Sequence, residues 1–333
     1  MARRGRAAAL AVLWAVVLGG CGTAGRASPR PAPAPEVIGF WAAGTDTALD
    51  PLPRYRNAIS VFAPFWYSIE PDGRIVDRVD PAIAAQVASL GIPVAPLFNT
   101  PGPQTFLASL WDRLMIVRQI SSLVRQHHYA GVDIDFEPPQ TQYARDLTAF
   151  IIDLKDFLPH NTAIYLDIVP ASGGAYDFAR LNREVTAYVV MSYDQHDSGS
   201  TPGPVAATDW AEAKITRLLR FIPADRLDMG LAWYGYDWLG GTTHAETLPI
   251  SAIPSALATR AHYDPSSQEM TASYTDDRGL LHTAWWETPQ GLASKIQWGK
   301  AHHLRGFAVW RLGYQNASLL QQLIQQIHPV AKR

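Results

Sequence analysis

Past residue 36 the apolar positions follow two alternating rhythms. Short runs rich in β-branched and aromatic residues recur at Val37–Trp41, Ala58–Phe65, Pro93–Phe98, Gly131–Glu137, Ala163–Val169, Ala187–Tyr193, Leu227–Trp233 and Gly306–Trp310. These read as eight strands. The segments between them carry a helical period. In 113–127, Ile116, Ile120, Leu123, Val124 and His127 fall on one face; in 141–158, Tyr143, Leu147, Phe150, Ile151, Leu154 and Leu158 do the same before Pro159 ends the run. Asp209 and Glu212 stand at capping-box spacing ahead of Ile215, Leu218 and Leu219. Thr288-Pro289 predicts an N-cap followed by proline at the first helical position, and a last helix is expected over about 316–327. Strand–helix alternation carried to eight strands predicts an α/β protein of the (β/α)8 TIM barrel kind, although doubly wound sheets share the alternation. The rhythm breaks between Gly240 and Glu287. Ala261–Asp264, Thr271–Tyr274 and Leu281–Trp286 read there as short antiparallel strands, with Asp276–Gly279 as a hairpin turn. A small α+β lobe, about 241–287, is therefore expected as an insertion after the seventh strand.

The amino-terminal residues have a different character. Arg3, Arg4 and Arg6 precede an uncharged run from Ala7 to Gly20, too short for a confident membrane span and patterned as a secretory signal peptide over 1–20. The run ends Leu18-Gly19-Gly20-Cys21, which resembles the lipobox of bacterial lipoproteins, and Cys21 is the only cysteine. The resemblance implies cleavage before Cys21 and lipidation of it. Residues 21–35, with Pro29, Pro31, Pro33 and Pro35 in alternation, read as an extended tether to a folded part spanning 36–330. An exported chain, attached to the membrane through that lipid alone and facing the cell wall or periplasm, is the expectation. One thiol permits no internal disulfide. A formal net charge of -2 provides no basic field for nucleic acid, while 11 Trp and 13 Tyr supply flat faces suited to sugars.

The densest chemical signal lies in Gly131–Glu137. Strand side chains alternate faces, so Asp133, Asp135 and Glu137 share one face and Val132, Ile134 and Phe136 the other. Acids stacked in this way repel one another and lose solvation, a cost that a purely structural strand avoids with Val or Ile. Glu137, last in the run, reaches the carboxyl-end mouth where barrel chemistry occurs. Its neighbour Asp135 opposes its ionisation and suits it to general acid work, and the deeper Asp133 is placed to share a proton with Asp135. A divalent-metal site and a solvated acidic edge are the other readings of the same residues.

Ala130-Gly-Val-Asp-Ile-Asp-Phe-Glu137 resembles the catalytic signature Asp-x-x-Asp-x-Asp-x-Glu of glycoside hydrolase family 18, with Ala130 departing at the first acid. Met191-Ser-Tyr-Asp194 is similar to the family's sixth-strand motif, and Trp310 in Gly306–Gly313 to its eighth-strand tryptophan. The resemblance spans about 36–325. It implies a retaining, substrate-assisted mechanism without metal or other cofactor, on a β-1,4-linked glycan containing N-acetylglucosamine. On that reading Glu137 is acid and then base, Asp135 orients the acetamido N–H, Tyr193 holds the acetamido oxygen, Asp194 binds nearby and Trp310 floors the central subsite. Further candidates for sugar contact are Trp66, Asn99, Tyr234 and Trp238. The third-strand region Pro93–Thr100 departs from the Ser-x-Gly-Gly motif of chitinases, and Tyr234–Trp238 is closer to the spore- and cell-wall-lytic branch. Peptidoglycan is therefore the expected polymer, with chitin or chito-oligosaccharides as the alternative, and a non-catalytic cell-surface sugar-binding protein as the reading from another class. A monomer is expected.

Overall fold

The structure is a computed structural model and describes residues 34–43, 52–170 and 174–328. The signal segment, Cys21 and the tether up to Pro33 lie outside the described residues. Eight parallel strands form the core: β1 (Glu36–Trp41), β2 (Val61–Pro64), β3 (Leu97–Asn99), β4 (Gly131–Asp135), β5 (Ala163–Ile168), β6 (Ala187–Val190), β7 (Leu227–Ala232) and β8 (Gly306–Trp310). Their order in the sheet is β2-β1-β8-β7-β6-β5-β4-β3, the cyclic order of a barrel. Pairing is continuous across every seam but that between β2 and β3. There only Phe62 and Val94 pair, through Phe62 N–H to Pro93 O at 2.9 Å and Ala95 N–H to Phe62 O at 3.0 Å. The cause is a hairpin that the sequence reading missed. Its strands, Tyr67–Ile69 and Ile75–Asp77, follow β2, and Tyr67 and Ser68 take up the pairing edge of β3. The expected closed barrel is thus an open-seamed one.

Helices α1 (Pro81–Leu90), α2 (Leu110–His127), α3 (Ala144–Phe157), α4 (Thr208–Leu218), α5 (Pro289–Ala301) and α6 (Ala317–Ile327) accompany the strands. Ile116, Ile120 and Val124 of α2 and Leu147, Phe150, Ile151 and Leu154 of α3 are buried, as the period requires; His127 is exposed. Thr288 caps α5 by accepting the Gly291 N–H at 2.9 Å, and Asn316 caps α6 through Leu319 N–H at 3.0 Å. The Asp209–Glu212 capping box does not form. The N-cap of α4 is Ala207, without a side-chain bond, and Asp209 instead accepts the N–H of Trp210. Helix α1, capped by Asp80, was not anticipated. No helix among the described residues is long and apolar enough to cross a membrane.

Inside the barrel, Ile38, Phe40, Val61, Ala63, Leu97, Tyr165, Val189 and Ala308 pack together. Below them sits a polar floor. Arg305 bridges Asp228 at 2.5 Å and Glu36 at 2.6 Å, and Tyr165 Oη donates to Glu36 at 2.9 Å. Burial pushes the Asp228 carboxyl up to about 7 against the pull of Arg305. The interior therefore carries acids at both ends, with an apolar belt between.

Directly after β7 the chain enters an antiparallel sheet whose strands lie in the order Ala245–Pro249, Tyr234–Leu239, Leu281–Trp286, Glu269–Thr275, His262–Asp264. It begins at Tyr234, ahead of the expected boundary. At its hairpin, Asp276 accepts the N–H groups of Arg278 and Leu280, and Gly279 supplies φ of +80°. Two buried acids join this lobe to the barrel. Glu287 accepts from Lys295 of α5 at 2.5 Å. Glu269 accepts the backbone N–H groups of Val205 and Ala206 at 2.9 and 2.6 Å, in the segment that links β6 to α4.

Candidate active site

A cleft of about 710 Å³ opens at the carboxyl ends of the strands, lined by Asp135, Glu137, Asp167, Tyr193, Asp194 and Trp310 among others. Strand β4 stops at Asp135, short of the predicted end, and Glu137 stands beyond it in contact with solvent at the mouth. Asp133 and Asp135, at 0% and 6% exposure, point inward as the alternation requires.

The acids form a chain rather than a simple stack. Asp133 lies against Asp167 of β5, and Asp135 against Glu137, each pair placed to share a proton. Asp133 also raises Asp135 through its charge, so all four acids form one interacting group. Both oxygens of Asp133, and one each of Asp135 and Asp167, find no N–H or O–H donor among the described residues unless a carboxyl itself carries the proton. Carboxylates only accept, so a hydrogen bond within either pair needs a bound proton. Burial raises the Asp133 carboxyl to about 7. Burial, then the charges of Glu137 and Asp133, hold Asp135 well above the ordinary range. Desolvation, then the charge of Asp194, raises Glu137. The cluster titrates as a unit, and it retains a proton next to the mouth at pH values where free acids have lost theirs.

Asp167 escaped the sequence reading. Its signal was present: it shares the inward parity of Tyr165 in a strand that is otherwise apolar. Register places β4 and β5 side by side, with Asp133 opposite Tyr165 and Ile134 opposite Leu166. Asp135 and Asp167 follow as lateral neighbours.

Tyr193 and Asp194 follow β6. Burial, then the surrounding carboxylates, pushes the Tyr193 phenol well up, so it remains a donor. Its ring needs a glycine on the next strand: a Cβ at Gly230 would come within 2.8 Å of Tyr193 Cε1 and 2.5 Å of Val190 O. Asp194 adopts φ of 58°, a left-handed conformation that Asp tolerates better than most residues. One of its oxygens accepts from Tyr234 Oη at 2.5 Å and Tyr236 Oη at 3.0 Å. Trp310 is wedged edge-on against Phe65, with ring centroids 5.1 Å apart. Asn99 lines the cleft, and its Oδ1 accepts from Ser68 at 2.7 Å, leaving the amide N–H groups for a ligand.

Three predicted sugar contacts do not reach the cleft. Trp66 is 1% exposed and packs between Phe62 and Tyr129, because the chain turns sharply after Pro64, with Trp66 N–H bonded to Pro64 O, and sends Phe65 to the cleft instead. Tyr234 is buried and acts on Asp194. Trp238 is fully buried, its Nε1–H donating to Asp197 O at 3.2 Å. Trp210 and Lys214 of α4 line the cleft and were missed.

This arrangement is that of a glycosidase: an acid with a retained proton, a buried partner acid beside it, a phenol donor and an aromatic floor. The family model of glycosyl hydrolases family 18 matches residues 104–315, and the chain belongs to that family. It is 28% identical over 280 residues to the putative sporulation-specific glycosylase YdhD of Bacillus subtilis (strain 168), covering 78% of this chain and 66% of that protein. The chain thus spans less than two thirds of the length of that relative. In fold it is similar to the spore cortex-lytic enzyme SleL of Bacillus megaterium QM B1551, with a TM-score of 0.79 at 18% identity over 92% of this chain and 77% of that one. It is similar also to a chitinase from Chromobacterium violaceum ATCC 12472, with a TM-score of 0.80 at 22% identity over 90% of this chain and all of that one.

Proposed function

We propose that the protein hydrolyses β-1,4 bonds next to N-acetylglucosamine in peptidoglycan, with retention and with help from the substrate's own acetamido group. The observation that carries this is the convergence of Asp135 and Glu137 at the mouth with Tyr193, Asp194 and Trp310 around the same cleft. Glu137 gives its proton to the glycosidic oxygen as the C1–O bond breaks. The acetamido oxygen attacks C1 from the opposite side, and an oxazolinium ion forms. Asp135 accepts a hydrogen bond from the acetamido N–H and offsets the positive charge. Tyr193 Oη–H steadies the acetamido oxygen. Glu137, now a carboxylate, takes a proton from the incoming water as the water oxygen bonds C1 and the oxazolinium C1–O bond breaks, restoring the acetamido group. The mechanism needs no second carboxylate as nucleophile, and cellulose and xylan, which lack the acetamido group, are not substrates.

The preference for a wall glycan over chitin is supported by the sporulation-specific and cortex-lytic names of its relatives and by the missing Ser-x-Gly-Gly segment. The cyclic strand order supports reading the open-seamed sheet as a (β/α)8 barrel. The lipobox-like Leu18–Cys21 supports an exported, lipid-anchored enzyme. The test is mass spectrometry of borohydride-reduced digests of purified peptidoglycan beside colloidal chitin. N-acetylglucosaminitol ends released from peptidoglycan, and a loss of about 10²–10⁴-fold in turnover for Glu137→Gln, are expected. Cleavage of chitin with inert peptidoglycan replaces the substrate with the alternative one. Glycan binding without new reducing ends replaces the enzyme with a sugar-binding protein.

A further inference from the structure

The cleft holds five carboxylates, Asp135, Glu137, Asp167, Asp194 and Asp197, and a single cationic side chain, Lys214, among its lining residues. In a field so acidic an ammonium ordinarily pairs with an acid of its own protein. Lys214 does not: among the described residues its recorded partner is the ring of Trp210, with Nζ 5.0 Å from the centroid. The two residues stand four apart on α4 and so share a face, while Ala211, Ile215 and Leu218 bury the other. Helix α4 is also held firmly at its start. Glu269 takes the N–H groups of Val205 and Ala206, and Gln195 Oε1 takes that of Ala207 at 3.0 Å. A cation on an aromatic shelf, fixed at the edge of a sugar cleft and unpaired, is suited to a sugar that carries an anion.

We infer that Lys214, backed by Trp210, is the subsite for the carboxylate-bearing substituent of the sugar adjoining the cleaved bond. This rests on the reading of the cleft as a wall-glycan site. Chitin is neutral along its length and gives such a cation nothing to pair with. In peptidoglycan every second sugar bears a 3-O-lactyl group, which ends in a carboxylate or in a stem peptide with carboxylates of its own. With N-acetylglucosamine over Trp310, the next sugar is the one so substituted. The ammonium then forms a charge-assisted hydrogen bond in a partly dried cleft, worth roughly tenfold in affinity.

The test uses Glu137→Gln protein, so that binding is read without turnover, and calorimetry on three ligands. They are peptide-free wall oligosaccharides with free lactyl carboxylates, the same oligosaccharides with those carboxyls reduced to alcohols, and peptide-bearing muropeptides. Binding of the charged glycan about tenfold tighter than the reduced one is expected. Adding Lys214→Met should abolish that ratio, and Lys214→Arg should keep most of it. Weaker binding of the peptide-bearing muropeptide by the Lys214→Met variant, beside the loss of that ratio, extends the inference to stem-peptide carboxylates. Equal binding of charged and reduced glycans by Glu137→Gln protein overturns the inference. So does equal weakening of both by Lys214→Met, which is the mark of a packing role. Cleavage of wall glycan without charge preference removes this inference alone, whereas wild-type protein that neither binds nor cleaves wall glycan removes the proposed function with it.

Discussion

Replacing Asp167 with Leu takes from Asp133 the hydrogen bond that stabilises its charged form. That bond lowers the Asp133 carboxyl against the burial that raises it, and the balance stands at about 7. A hydrogen bond to a charged group is worth about 1.5–3 kcal/mol. One pKa unit corresponds to about 1.4 kcal/mol, so loss of the bond moves the group up by about one to two units. On the proposed mechanism, turnover needs negative charge in the Asp133–Asp135 part of the cluster to face the oxazolinium ion, and the acid limb of the rate profile reports the loss of that charge. The limb of kcat/KM against pH on soluble glycan oligomers should therefore move to higher pH by about one to two units in Asp167→Leu. Asp167→Asn retains an N–H donor and should shift it by less than half as much. A separate sign follows for stability. Asp167 lies well above its ordinary 3.8 when folded, chiefly through burial. The folded protein thus holds this proton more tightly than the unfolded chain, so the contribution is full below about 3.8 and is lost as pH rises towards the folded value. Against wild type, Asp167→Leu should gain in denaturant midpoint between pH 4 and pH 8. An unmoved acid limb in Asp167→Leu, or equal shifts in the two variants, would refute the coupling.

Gly230→Ala places a methyl against Val190 O and the Tyr193 ring. It should cost about 1–3 kcal/mol in unfolding free energy and lower kcat, and a variant with unchanged Tm and kcat would contradict the close approach. Tyr234→Phe removes a hydrogen bond to Asp194 while Tyr236 keeps its own. A loss of about tenfold in kcat/KM is expected, with the double Tyr234→Phe/Tyr236→Phe variant worse, and full activity in the double variant would show that Asp194 needs no such support. Cys21→Ser should leave the protein in the soluble fraction of its host with its activity intact, and a wild-type chain that incorporates no fatty acid in vivo would exclude the anchor.

Much of the scaffold was legible because it depends on local periods. The α2 and α3 faces follow from residues three and four apart, and Asp133 and Asp135 point inward because a strand cannot do otherwise. What escaped depends on contacts between distant segments. The hairpin Tyr67–Asp77 is too short to show a period, yet it decides how β2 and β3 meet. Trp66 follows the second strand in sequence, but one tight turn at Pro64 buries it and turns Phe65 to the cleft instead. Tyr234, Tyr236 and Trp238 do share a strand face, but they sit behind the Asp194–Asp197 segment, which itself lines the cleft. Asp167 was readable as an acid at an inward position; the register sets it beside Asp135, but its pairing with Asp133 is diagonal and needs the side-chain arrangement. Lys214 carried no local mark, since nothing in a helical period says which solvent-facing lysine borders a cleft.

The lobe after β7 grips the loop between β6 and α4 at both ends, through the tyrosines on Asp194 and through Glu269 on the amides of Val205 and Ala206. It is therefore a poor unit for exchange between relatives. A chimera that imports another enzyme's lobe without its matching loop would keep every reacting group and still set Asp194 and α4 adrift. Recombination that respects function here has to move the loop and the lobe together, although 26 residues of loop end, helix and strand β7 separate Ala207 from Tyr234 in the chain.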